Sequence, residues 1–233
     1  MAEELCTILV VTFDRPKEIR DTLYGFLKHV KYPHDKLMFH LADDGSPDGY
    51  IGAIESEFHF LRWSHTQTNR QGWGANVNTA LKAIATNLIF LMEDDYVAMD
   101  DVDLISGAKI LTNVEETGLV RYDGIAGHNL RVQFTEYKEN GVRYGYGIID
   151  KLSPHLNVYS NRPHLRHARF TRYYDYYPEG KPLGWTEEAF AHHVKKSPED
   201  GPQLVILDSG VERRFDHIGK SRQLSEFDIG KPR

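Results

Sequence analysis

The sequence predicts an α/β fold: a mostly parallel sheet flanked by helices, with a smaller region that contains a β-hairpin. Three observations carry this. Short apolar runs alternate with amphipathic stretches through roughly the first hundred residues, the pattern of βαβ units. One run, Leu88 to Met92, is apolar without a break, as in a strand buried on both faces of a parallel sheet. Asn140-Gly141 lies between two alternating segments, a strong hairpin signal.

The elements follow in order. Leu5 to Thr12 reads as a central strand. Asp14 suits an N-cap and Pro16 the first turn of a helix that carries Ile19, Leu23, Phe26, Leu27 and Val30 at helical spacing. Leu37 to Ala42 is a second strand, ending in the dense turn signal Asp43-Asp44-Gly45-Ser46-Pro47-Asp48-Gly49. A short helix over Tyr50 to Glu57 and a third strand near Phe60 to Ser64 come next. The loop Asn69 to Asn76 opens a helix through about Ala85, and the apolar strand Leu88 to Met92 follows. Val132 to Lys138 and Val142 to Ile149 form the hairpin. A helix starts near Thr186, and Leu204 to Leu207 is a late strand. No linker-like composition divides the chain, so one domain is expected over 1–233, with a half at about 1–100 and another at about 101–233.

Bulk properties exclude several classes. The 233 residues suffice for one good-sized core, and 40% hydrophobic with 27% charged residues is ordinary for a globular protein. A net charge of −6 argues against coating nucleic acid through bulk charge. Cys6 is the only cysteine, which rules out an internal disulfide, and in a core strand it reads as an inert buried thiol. No signal peptide and no run of about eighteen apolar residues is present. The expected location is the cytoplasm of a bacterial or phage-infected cell.

The chemistry concentrates at strand ends. Glu93-Asp94-Asp95 closes the apolar strand, and three adjacent carboxylates repel one another unless a cation sits among them. In an extended chain Glu93 and Asp95 share one side, about 6.6 Å apart, and can hold one hard cation. The plainer alternative is an acidic loop that begins the next helix. Asp43-Asp44-Gly45-Ser46 offers fixed acceptors for a nucleobase N–H, or a solvated turn.

Thr-Phe-Asp-Arg-Pro, Asp-Asp-Gly-Ser, Asn-x-x-Gly-x-Gly-x-Asn and Glu-Asp-Asp occur in that order, each at a strand end or helix start. Together they resemble the nucleotide-sugar half of GT-A glycosyltransferases, most closely family-2-type enzymes, over about residues 5 to 100. The resemblance implies a GT-A, Rossmann-like sheet, a nucleotide-diphospho-sugar donor, usually UDP-linked, and a Mn²⁺ or Mg²⁺ ion. On it, Thr12, Phe13, Asp14 and Arg15 lie around the nucleoside and Asp44 holds the base. Arg70, Asn76, Glu93 and Asp94 belong to the donor site. Asp95 is the firmer metal ligand, with Glu93 beside it in place of the usual first Asp.

Later segments extend the resemblance. Gly184-Trp185-Thr186-Glu187-Glu188 is similar to the segment before the Glu-Asp pair of inverting enzymes, which makes Glu188 the general base and Glu187 its alternative. Two acids in a helix first turn are also favoured by the macrodipole. Phe215-Asp216-His217-Ile218-Gly219-Lys220 resembles the late His-x-Gly segment, with His217 at the metal and Lys220 on phosphate. The stretch from Arg162 to Arg172, followed by four tyrosines through Tyr177, suits an anionic acceptor such as DNA or a glycoconjugate. A solvated basic face is its preferred plain reading. The implied activity is inverting, metal-dependent glycosyl transfer to an acceptor hydroxyl. A sugar-phosphate nucleotidyltransferase and a non-catalytic carbohydrate- or nucleic-acid-binding protein are the alternatives.

Overall fold

The structure is a computed structural model and describes residues 4–122, 130–153, 158–207 and 214–219. Its centre is a nine-stranded sheet in the order β3-β2-β1-β4-β9-β6-β10-β8-β7. The first four in that row are β1 (Cys6–Thr12), β2 (Leu37–Asp43), β3 (Trp63–Gln67) and β4 (Leu88–Glu93), all parallel. The others are β6 (Thr117–Arg121), β7 (Val132–Glu139), β8 (Val142–Ile149), β9 (His164–His167) and β10 (Gln203–Leu207). Among the described residues only β8 and β9 run against the rest, so the sheet is mostly parallel, as expected. β5 (Tyr96–Ala98) and β11 (Phe215–His217) make a separate antiparallel pair.

Helices cover both faces. α1 (Pro16–His29), α2 (Tyr50–Glu57) and α4 (Leu104–Asn113) pack on the face that presents Ile8, Val10, Phe90 and Met92. α3 (Trp73–Ala83), α5 (Ala168–Tyr174) and α6 (Leu183–Lys196) pack on the face that presents Leu9, Val11, Ile89 and Leu91. Successive residues of β1 and β4 thus enter opposite cores, which is why both strands read as unbroken apolar runs. Phe90 anchors the first core, its ring 5.3 Å from Phe26 and 5.5 Å from Tyr122. Cys6 is fully buried in this core, and burial pushes its thiol up to about 12, so it is inert.

The strand order positions the site. β1 leads outward to β2 and β3, and the chain then crosses back to lay β4 on the other side of β1. The switch point therefore lies between β1 and β4, where ligands of open α/β sheets bind beyond the carboxyl ends. Register brings those ends level: Thr12 faces Asp43 and Val11 faces Glu93.

Several expectations change. β3 begins at Trp63 rather than near Phe60, because α2 closes in a turn (Leu61 N–H to Phe58 O, 3.0 Å) that buries Phe58. Asp14 is not the cap of α1: it takes a left-handed φ of 50°, and Arg15 stands at the N-cap position. The chain does not stay extended past Glu93; β4 ends there and Asp94-Asp95 turn into β5. The Arg162–Arg172 stretch is not a solvated face. It supplies β9, inserted between β4 and β6, and α5. His164 and Arg166 are fully buried, and Arg169 donates to the carbonyls of Leu111 (2.7 Å) and Glu115 (2.6 Å). Arg166 donates to Tyr177 Oη at 2.9 Å and Thr171 Oγ1 at 2.6 Å, and lies over the Phe170 ring. A desolvated guanidinium held by hydroxyls and aromatic faces has to be neutralised at a distance, a costly arrangement that fixes the strand's register. Among the described residues no helix is long and apolar enough to cross a membrane.

Buried histidines make this fold acid-sensitive. Burial pushes His40 down to about 4 and His164 to about 3, against the ordinary 6.5. Between those values each of these two histidines binds a proton in the unfolded chain but not in the folded one. Their contribution to stability is thus intact above pH 6.5 and lost as pH falls through 4. A tenfold difference in proton affinity between the folded and unfolded chain is worth about 1.4 kcal/mol, so the loss is on the order of several kcal/mol. The urea-midpoint difference between wild type and His40→Gln should therefore shift against the wild type as pH falls from 6.5 to 4, because only the wild type loses the His40 contribution.

Candidate active site

The carboxylates at the strand ends divide into two groups. The first group faces inward. Asp94 is 3% exposed and accepts from Thr12 Oγ1 (2.8 Å), Phe13 N–H (3.3 Å) and Arg15 Nη1 (3.2 Å). Its own N–H donates to Val11 O (3.0 Å) and its carbonyl accepts from Thr22 Oγ1 (2.8 Å). Thr12 Oγ1 also meets Tyr50 Oη at 2.5 Å. Burial raises the Asp94 carboxyl to about 6, against the pull of Arg15. Asp94 thus braces β1, β4 and α1.

Asp44 is a second brace. Oδ1 accepts from Thr68 Oγ1 (2.7 Å) and Gln71 N–H (2.8 Å), and Oδ2 accepts from Gly72 N–H (2.9 Å). These bonds from the Thr68 hydroxyl and two backbone N–H groups shape the loop before α3. Gly45, at φ +89°, permits the turn beneath this loop. Asn76 is 1% exposed and donates to Ala42 O at 2.8 Å, which ties α3 to β2. Asp43 is likewise buried, accepting from Ser46 N–H (3.0 Å), Ser46 Oγ and Gln67 Nε2 (2.9 Å). Asp14 donates its N–H to Ser46 Oγ at 2.8 Å, and Arg70 lies over the Phe13 ring, 5.1 Å from its centroid. Phe13 and Arg70 thus form one wall at the switch point.

The second group gathers where β4, β5 and β11 meet. Asp95 is 1% exposed; its Oδ2 meets both Arg15 Nη1 and His217 Nε2, the latter at 3.2 Å, while Oδ1 is buried with no protein partner. His217 is delivered by β11, which pairs with β5, and its ring stacks on Tyr96 with centroids 4.9 Å apart. The Asp95 carbonyl accepts from Ile218 N–H at 2.9 Å. A methyl group at Gly219 would overlap Asp95 Oδ2, so this approach requires glycine. The Glu93 carboxyl is held well above the usual range, first by burial and then by the charges of Asp95, Asp94 and Glu187. Lys220 lies outside the described residues.

The two acids of α6 point different ways. α6 starts at Leu183, so Glu187 and Glu188 lie beyond its first turn. Glu187 is one turn before buried Ala191; Glu188 is one turn before exposed His192. Glu187 accepts from Asn161 N–H at 2.8 Å and acts electrostatically on Glu93 and Tyr96. The Glu188 side chain is 59% exposed and lies 3.8 Å from His192 Nε2. Of the two acids, Glu187 is thus the one turned toward Glu93, and Glu188 is turned to solvent.

Sequence reasoning missed Tyr96 and Asn161. Asn161 is 4% exposed, and neither polar atom of its carboxamide has a protein partner. Neither residue sits in a motif, and only the pairing of β5 with β11 and the packing of α6 bring them to the cluster.

The sequence profile of glycosyl transferase family 2 matches residues 7–169. The chain belongs to glycosyl transferase family 2. No curated protein sequence matches it significantly. Solved structures share its fold. Staphylococcus aureus TarS superposes with a TM-score of 0.62 at 19% identity, over 88% of this chain and 35% of that one. TarS 1–349 in complex with UDP-GlcNAc gives 0.61 at 18%, over 91% and 60%. The mannosyltransferase PcManGT of Pyrobaculum calidifontis, in complex with GDP-Man and Mn²⁺, gives 0.56 at 13%, over 95% and 61%. At these identities the likeness establishes a GT-A-like fold, and the chain spans less than two thirds of each structure's length.

The donor set at Asp95 suits a hard divalent cation: an unpartnered buried carboxylate oxygen beside an imidazole nitrogen. Among the described residues no three His, Cys, Asp or Glu side chains are grouped to enclose an ion, and the guanidinium of Arg15 stands on the second oxygen. Gly219→Ala should separate His217 from Asp95. The histidine ring signals in NMR should shift while the unfolding temperature changes by no more than a few degrees.

Proposed function

We propose that this chain transfers a sugar from a nucleoside-diphospho-sugar, UDP-linked, to an acceptor hydroxyl with inversion. One observation carries the reading. At the switch point of a glycosyl transferase family 2 fold, Glu187, held by the N–H of Asn161, lies within electrostatic reach of Glu93 at the end of β4.

The donor lies beyond the ends of β1 and β4, its base side against Phe13 and Arg70 and its diphosphate toward Asp95. Asp95 and His217 would hold a Mn²⁺ or Mg²⁺ ion, which when bound offsets the charge that develops on the departing diphosphate. Glu187 takes the acceptor proton as the hydroxyl oxygen bonds to the anomeric carbon and the bond to the diphosphate breaks. The transition state has oxocarbenium character. A carboxylate serves because it need only accept the proton as attack develops, and the N–H of Asn161 fixes which way it points. Glu93, at the end of β4 and two residues before Asp95, is placed to meet the metal or the ribose. Of the basic residues from Arg162 to Arg172, only Arg172 is exposed and the rest are buried or half-buried, which favours a glycoconjugate over DNA as the acceptor.

The test is a panel of UDP-sugars with Mn²⁺, scored for release of UDP. Wild-type protein should turn over at least one. Glu187→Gln should lower turnover about 10²–10⁴-fold, the usual worth of a general base, with donor affinity kept. Glu188→Gln should stay within about twofold. The reverse ranking of these two variants would move the base to Glu188, and no turnover of any UDP-sugar would remove the donor assignment.

A further inference from the structure

Arg15 stands where a cation is needed. Its Nη1 donates to Asp94 Oδ1 at 3.2 Å and to Asp95 Oδ2, and the side chain is 16% exposed. Asp95 is thus neutralised on one oxygen, where His217 also arrives, and open on the other. A divalent ion on Asp95 would lie beside a guanidinium that cannot lose its charge, since arginine stays protonated. Two cations so close in a poorly solvated site repel strongly. Arg15 has a route out. It leads α1 from the N-cap position, so its side chain can turn from Asp95 while Pro16 and the helix stay in place. A diphosphate is the one group in the proposed reaction that offers a guanidinium a better, two-pronged partner.

We propose that Arg15 is the resident cation of this site. It holds Asp95 in the metal-free protein, competes with the divalent ion, and is drawn to the diphosphate when donor binds. Metal and nucleotide then bind cooperatively through Arg15, each easing the entry of the other. The inference rests on the donor reading above but concerns binding, so it is tested without turnover.

Free Mn²⁺ is followed by electron paramagnetic resonance during titration of the full chain, with and without UDP. Arg15→Gln should bind Mn²⁺ alone about tenfold more tightly than wild type. It should also gain less affinity than wild type when UDP is added. Equal or weaker Mn²⁺ binding by folded Arg15→Gln overturns the proposal, as does undetectable binding by both proteins. Should the variant not fold, the wild type answers the same question. In ¹⁵N NMR the Arg15 guanidinium should show restrained rotation without metal and a clear shift at saturating Mg²⁺ and UDP. An unmoved signal there also overturns the proposal. Mn²⁺-dependent UDP-sugar turnover alongside an unchanged Arg15→Gln affinity would remove the role of Arg15 and leave the transferase reading intact. The tenfold effect without turnover would do the opposite.

Discussion

The site depends on one buried carboxylate, Asp94. Asp94 joins three elements that are distant in sequence: the end of β1 through Thr12 and Phe13, the start of α1 through Arg15, and the turn after β4 through its own backbone. Taking a carboxylate out of water is costly, and the upward shift of Asp94 to about 6 shows that burial outweighs its partners. What the arrangement yields is position. With Asp94 turned toward Thr12 and Phe13, the next residue, Asp95, is set against His217, and Arg15 spans both.

The same economy runs through the other acids. Asp43 and Asp44 end β2 at the edge where a nucleotide would lie, yet their oxygens organise Ser46 and the Thr68–Gly72 loop. Glu93, Asp95 and Glu187 are left to face the cleft. A carboxylate that accepts two or three hydrogen bonds from its own chain is a scaffold, whereas one with an unpartnered buried oxygen has chemistry to spare. That distinction separates Asp44 from Asp95, although both close the acidic end of a parallel strand.

Much of the fold was legible because its signals are local. The unbroken apolar strand Leu88 to Met92, the helical spacing of Ile19, Leu23 and Phe26, and Asn140-Gly141 each specify structure within a few residues, and all three elements form where expected. The Arg162–Arg172 stretch was misread for the opposite reason. Nothing within it says that β9 will be inserted between β4 and β6, and only that pairing buries His164 and Arg166. The site was legible to the same depth. Glu93-Asp94-Asp95 and His217 marked its place, while Tyr96 and Asn161 carried no motif.

The sequence by itself determined the α/β class, the strand ends that bear the acids and the family resemblance, since period, turn chemistry and motif order are written along the chain. The tertiary structure alone decided which way each acid faces. Glu187 and Glu188 are adjacent and chemically equivalent, about 100° apart on a helix. Phe190, Ala191 and Val194 bury one side of α6 against the sheet. That packing turns Glu187 to the cleft and leaves Glu188 in solvent, because a helix can present only one face to its core.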